Sequence, residues 1–209
     1  NKADYSLMLD ADFTVILNGF DKESLIADRY ETEIHWGESV FTNHLLFNNR
    51  LNWKSVGVLH EHWDAEGIQS CVPIKTIWFN HDRHGACRPK GVSDVVTLEQ
   101  GIKDDPNNSR YHFYLANSYR DIGEHEKAIK MFHKRISMGG WDEEIYYSKY
   151  QIGLCYEWMG KINEAKIMYL NAWEYRPSRA ESLYRMAYLC RVAGEYQQAY
   201  LFAKKGLEI

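Results

Sequence analysis

The spacing of apolar residues changes once along this chain. Up to about residue 90 they alternate with polar positions or come in short runs. This predicts strands over Ser6–Leu9, Tyr30–Trp36, Asn43–Phe47, Ser55–Leu59 and Ile74–Phe79, all rich in β-branched and aromatic residues. Turn material separates them at Asn18-Gly19, Asn48-Asn49-Arg50 and Asp64-Ala65-Glu66-Gly67, and one short helix is expected over Lys22–Ala27. From about residue 92 to Ile209 apolar residues recur every three or four positions, the period of amphipathic helices. The first of these, Ser93–Lys103, is expected to pack the helical part onto the first half.

The helical part repeats. Ala128, Ala165 and Ala199 stand 37 and 34 residues apart, and Gly123, Gly160 and Gly194 precede them by five positions. Tyr119, Tyr156 and Cys190 lie four before each glycine, with Leu115, Ile152 and Met186 four earlier still. This is the tetratricopeptide pattern, a helix–turn–helix unit of ~34 residues. Ala116, Gly153 and Ala187 let the first helix of each unit approach its neighbour, and the repeated alanine does the same for the second helix. The first unit is lengthened around Met138–Glu144. Most aromatics here (Phe113, Phe132, Tyr147, Tyr169, Trp173 and Tyr184 among them) are expected in the inter-helix core. Any that remain outside would line a groove able to hold a peptide.

Composition sets limits on function. With 45% hydrophobic residues the chain is globular, and a net charge of −4 argues against a protein that coats nucleic acid. No apolar run approaches the ~20 residues of a membrane helix, so no transmembrane segment is expected. The four cysteines form no C-x-x-C pair, Cys155 and Cys190 falling inside helical patterns. With no secretory signal read at the start, a reducing, cytoplasmic location is expected, and Asn107-Asn108-Ser109 is taken as a chance glycosylation match.

Candidate chemistry begins at Asp10-Ala11-Asp12, directly behind an apolar segment. Two carboxylates at i and i+2 can share a divalent cation, and a bound cation is a common partner for a diphosphate. They can equally be the polar residues of a strand-ending turn. His81, His84 and Cys87, with Cys71, have a tolerable spacing for zinc but lack a second matched pair. Arg83, Arg88 and Lys90 form a basic cluster that suits either phosphates or a solvated linker.

Several stretches resemble family 2 glycosyltransferases of the GT-A fold that carry tetratricopeptide repeats. Asp4-Tyr5-Ser6-Leu7-Met8-Leu9-Asp10-Ala11-Asp12 is similar to that family's strand and DXD metal motif. Leu46-Phe47-Asn48-Asn49, Val56-Gly57-Val58-Leu59-His60-Glu61-His62 and Ile77-Trp78-Phe79-Asn80-His81-Asp82 resemble later segments of the catalytic domain. Tyr114–Asp121 and Gly139–Glu144 resemble its repeat region. The resemblance implies an α+β chain: residues 1–91 as the carboxyl-terminal portion of a GT-A domain with a mixed sheet of short strands, and 92–209 as a tetratricopeptide superhelix of about three repeats. It implies a metal-dependent transfer, inverting, of a hexose from a nucleotide-sugar donor such as a UDP-sugar.

By the same resemblance Asp10 and Asp12 would hold Mn²⁺ or Mg²⁺ and the donor's diphosphate, Asp12 directly and Asp10 through water. His81 would complete the coordination. Glu61 would be the base that takes the acceptor's hydroxyl proton, with His60 flanking it, while Trp36, Trp63 and Trp78 would offer a stacking face for sugar. A glycan, peptide or protein acceptor would lie on the repeats. The chain begins about one strand before the DXD motif, so the nucleotide-binding half is expected to be absent or supplied separately, leaving the isolated chain inactive. The alternative is a non-catalytic interaction module whose repeats recruit a protein, with a remnant transferase domain as scaffold.

Overall fold

A computed structural model describes residues 3–81 and 91–209 of the chain, which divides into two compact units, Asn1–Arg88 and Pro89–Ile209. The first unit holds β1 (Tyr5–Leu7), β2 (Phe13–Leu17), β3 (Arg29–Trp36), β4 (Ser39–Asn48), β5 (Lys54–Val56), β6 (His62–Asp64) and β7 (Cys71–His81). Five of these form a mixed sheet in the order β1-β4-β3-β7-β2, and β5 and β6 form a separate ribbon. Among the described residues only β3 and β7 run parallel; the other pairs are antiparallel. The mixed sheet agrees with the α+β expectation, but β3, β4 and β7 run to 8, 10 and 11 residues and are not the short strands expected.

Several boundaries differ from the pattern-based reading. No strand is expected at Phe13–Leu17, yet β2 pairs with the second half of β7 and closes one edge of the sheet. The pairing partners are 60 to 68 positions away and leave no local mark. The hairpin arm Ser39–Thr42 is exposed on both faces, so it lacks the alternation that reveals the rest of β4. The helix expected over Lys22–Ala27 is a single 3-10 turn at Lys22–Ser24, capped by Asp21. It stops because the Ile26 and Ala27 amides donate to the Tyr30 hydroxyl, at 2.6 and 2.9 Å, rather than to a preceding turn.

Alternate residues of β3 (Tyr30, Thr32, Ile34) are buried, and Ile34 packs with Leu45, Ile77 and Phe79 as the core of this unit. A polar tie holds the start of β3 to the segment before β7. Asp28 Oδ2 accepts from the Gln69 amide (2.9 Å), the Ser70 amide (3.0 Å) and the Ser70 hydroxyl (3.1 Å). The Gln69 amide bond, followed by those from Ser70, holds the Asp28 carboxyl below its ordinary value of 3.8. A lowered native pKa stabilises above the unfolded value and is lost as pH falls through the native one. Urea unfolding should therefore show an added loss of stability below about pH 3.8 that Asp28→Asn removes; an unchanged acid limb in the variant would contradict it.

The second unit holds α1 (Val92–Asp104), α2 (Ser109–Asp121), α3 (His125–Ser137), α4 (Asp142–Trp158), α5 (Ile162–Tyr175), α6 (Glu181–Val192) and α7 (Tyr196–Leu207). Each helix packs on its successor in sequence. The repeated glycine explains the repeated turn. Gly123, Gly160 and Gly194 all take positive φ, between 75° and 82°, beyond the end of α2, α4 and α6. The following amide then reaches back to the carbonyl of Tyr119, Tyr156 or Cys190 at 2.8–2.9 Å. The glycine amide itself donates to Arg120, Glu157 or Arg191 at 3.0–3.1 Å. This pair of bonds is the Schellman closure, which needs a left-handed residue at the glycine position. The repeated alanine amide makes the first bond of α3, α5 and α7, donating to Glu124, Lys161 and Glu195 at 3.0 Å.

Candidate functional site

Sheet topology explains where Asp10-Ala11-Asp12 lies. Because β1 and β2 occupy opposite edges of the sheet, residues 8–12 carry the chain from one edge to the other. The Phe13 amide donates to the Asp10 carbonyl at 3.2 Å, so the motif forms a turn, and the two carboxylates meet different neighbours. Asp12 arrives beside the carboxyl end of β7, where its Oδ2 lies 3.4 Å from His81 Nε2. The His81 ring stacks on Trp36 at the end of β3 (4.8 Å, 25°) and meets the edge of Phe13 (5.5 Å). Its Nδ1 is buried without a hydrogen-bond partner among the described residues.

Asp10 instead lines a cavity of about 300 Å³ with Arg29, His44, Glu61, His62 and Trp63. Glu61 and His60 belong to the loop between β5 and β6, which begins at Gly57 because the strand expected over Ser55–Leu59 ends at Val56. Gly57 (φ 116°) and His60 (φ 53°) both take left-handed conformations there. A non-glycine residue at such φ is uncommon and turns the chain sharply. The structure thus brings Asp10 near Glu61 and Asp12 onto His81. Asp12 and His81 are oxygen and nitrogen donors of the type that Mn²⁺ accepts. Among the described residues no three His, Cys, Asp or Glu side chains meet in a cluster able to hold a metal.

The three tryptophans do not share one face. Trp36 stacks on His81, Trp78 lies beside His35 on the other side of β7, and Trp63 packs near Phe47. The expected common sugar platform is therefore corrected to separate environments, because adjacent strand positions point to opposite faces. His84, Cys87, Arg83, Arg88 and Lys90 lie outside the described residues. Cys71 Sγ is 3.1 Å from His44 Nε2. Burial, with the Arg29 charge, keeps His44 below its ordinary pKa. Arg29 and His44 were not anticipated, although the polar alternation Glu31, Glu33, His35 along β3 marks the sheet face that carries such residues.

On the helical unit, Phe132 and Tyr169 are fully buried as expected, but Tyr147 and Tyr184 are exposed. Tyr147 and Trp158 stand eleven positions apart on α4, three helical turns, so they share a face. Tyr184, Tyr188 and Val192 make an exposed stripe at four-residue spacing on α6. Between these helices Glu157 of α4 pairs with Arg185 of α6 and accepts the Tyr169 hydroxyl at 2.7 Å. At the start of the array the Tyr119 hydroxyl donates to Glu99 of α1. Burial and that carboxylate push the Tyr119 pKa up to about 12.

Comparison with curated proteins gives no match. Among solved structures, one titled "MamA MSR-1 C2" is 21% identical with a TM-score of 0.46, covering 55% of this chain and 64% of that one. "MamA RS-1 ArsTM double mutant" is 13% identical with a TM-score of 0.48, covering 55% and 62%. "MamA AMB-1 P212121" is 19% identical with a TM-score of 0.46, covering 55% and 61%. The chain thus spans a little under two thirds of the length of these structures. Family models described as tetratricopeptide repeat match residues 97–130 and 147–178. These matches place two tetratricopeptide repeats in the helical unit, and the same glycine turn closes the helix pairs α2–α3, α4–α5 and α6–α7.

Proposed function

We propose that this chain is a protein-interaction module whose repeats hold a segment of a partner protein along the exposed aromatic side chains of α4 and α6. The observation that carries the reading is the match of two stretches to tetratricopeptide repeats. The aromatic stripe supports it, since rigid aromatic side chains bind with little loss of conformational entropy and dominate interface energetics. A peptide library selected on the intact chain should yield an enriched sequence. Tyr147→Ala and Trp158→Ala should each weaken the selected peptide about 10-fold in fluorescence anisotropy. Failure to enrich any sequence, or unchanged affinity in the double variant, would overturn the reading.

A second reading, metal-dependent glycosyl transfer in an intact enzyme, is favoured by one observation. Asp12 and His81, two of the three residues the resemblance assigns to the metal, come within 3.4 Å where β2 pairs with β7, from opposite ends of the first unit's sequence. Bound Mn²⁺ or Mg²⁺ would supply positive charge to the diphosphate of a nucleotide sugar such as a UDP-sugar. In this reading Asp12 and His81 would hold the cation, and Asp10, turned into the cavity with Glu61, would act through water. Glu61, oriented by the His60 turn, takes the proton of an acceptor hydroxyl on a glycan, peptide or protein. Titration of Mn²⁺ and UDP into the intact protein should show metal-dependent nucleotide binding that Asp12→Ala removes. Binding that ignores the metal or survives the substitution contradicts it.

No helix among the described residues is long and apolar enough to cross a membrane. The free thiols Cys71, Cys155 and Cys190 support a reducing compartment, in keeping with a cytoplasmic protein.

A further inference from the structure

The cavity beside Asp10 is built within the first unit, and its charges come from different sides. Sheet order β1-β4-β3 puts Asp10, just after β1, and Arg29, at the start of β3, on opposite flanks of β4. Between them β4 supplies His44 and Leu45, while the end of the β5–β6 loop and the start of β6 add Glu61, His62 and Trp63. The volume of about 300 Å³ stands at the lower end of the range for small-molecule sites.

Arg29 is half-buried, and its Nε is buried without a hydrogen-bond partner among the described residues. A guanidinium keeps its proton in a protein, so this donor stays charged and calls for an acceptor. His44 does not share that role. Burial, with the neighbouring Arg29 charge, holds it below its ordinary value of 6.5, so the imidazole is uncharged at neutral pH. Asp10 and Glu61 are exposed, which puts the carboxylates at the mouth of the cavity and the guanidinium inside. Buried Leu45 and half-buried Trp63 give it apolar surface.

We propose that this cavity binds a free amino acid with an apolar side chain. Its carboxylate meets Arg29, its ammonium faces Asp10 and Glu61, and its side chain lies against Leu45 and Trp63. A carboxylate matches the guanidinium fork and gives the buried Nε–H its acceptor. The carboxylates at the mouth suit an ammonium and repel an acid that lacks one. The inference stands without the transferase reading, since it asks Glu61 for charge and not for proton transfer.

The probes are L-leucine and L-phenylalanine, each with two analogues. One is the amine without the carboxylate (isopentylamine, phenethylamine), the other the acid without the ammonium (isocaproate, hydrocinnamate). In calorimetric titration of the intact chain, at least one amino acid should bind at least about 10-fold more tightly than either of its own analogues. The group that each analogue lacks leaves a charge of the site unmatched. Arg29→Gln should weaken that amino acid at least about 10-fold and remove its advantage over the amine, with a native circular dichroism spectrum. The comparison of analogues needs no variant, so it decides the matter even where the substitution disturbs the fold. Asp12→Ala, which tests metal-dependent nucleotide binding, should leave the amino acid bound as before, so the two readings fail separately. The proposal is overturned if neither amino acid binds at millimolar concentration, or if an analogue binds as tightly as its parent. It is also overturned if folded Arg29→Gln keeps the full preference.

Discussion

Replacing Arg135 by alanine should lower the stability of the helical unit by about 3–5 kcal/mol, the largest single-residue effect expected in this chain. Arg135 is 1% exposed, and its Nε donates to Glu144 Oε2 at 2.8 Å inside the α3–α4 contact. One terminal nitrogen also donates to the Gly139 carbonyl at 2.6 Å, closing the lengthened connection at Met138–Glu144. Removing the arginine leaves a buried carboxylate and a carbonyl without their donors, and the cost is mainly that of the groups left behind. Circular dichroism at 222 nm should record a fall in Tm of roughly 10–20 °C. The paired change Arg135→Met with Glu144→Leu should recover most of it, because an apolar pair of similar volume has no charge to desolvate. A loss below about 1 kcal/mol in Arg135→Ala would mean that water reaches the pair.

Gly153→Ala should destabilise by about 1–2 kcal/mol although alanine is the better helix former by about 1 kcal/mol. A Cβ at Gly153 would stand 2.5 Å from Cε1 of Tyr169. That ring cannot turn away, because it is fully buried and its hydroxyl is held by Glu157. The third repeat has Ala187 and Ala203 at these two positions, so the large ring and the missing side chain go together. Gly153→Ala combined with Tyr169→Ala should therefore cost less than the sum of the two single changes in urea unfolding. Strict additivity would place the clash elsewhere.

These two sites show why the helical half was legible in the sequence. Its contacts recur at fixed offsets, and each offset corresponds to a local requirement. The glycine supplies the left-handed closure, the alanine the close helix approach, and the residue four before the glycine the accepting carbonyl. Exposed aromatics were harder to read, because Tyr147 and Tyr184 fit the same helical period as Phe132 and Tyr169. Which side of a helix meets a neighbour depends on how the repeats stack.

The β half was legible only where one strand face is buried. β3 alternates and was recognised. β2, Phe13-Thr14-Val15-Ile16-Leu17, lacks strict alternation and is defined by distant pairing with β7, while the ribbon of β5 and β6 carries few apolar residues. The candidate site was legible in part for the same reason. Asp12 and His81 were named together, and the sheet brings them together. Asp10 diverges because the motif turns, and Arg29 and His44 join its cavity through strand pairing that no local pattern records.

The central claim is that the tetratricopeptide array holds a partner segment on the aromatic face of α4 and α6. Its most direct test is an amide chemical-shift map of the isotope-labelled intact chain, titrated with the library-selected peptide. The largest saturable shifts should fall within residues 147–158 and 184–192. Shifts confined to the sheet unit, or none that saturate, would contradict it.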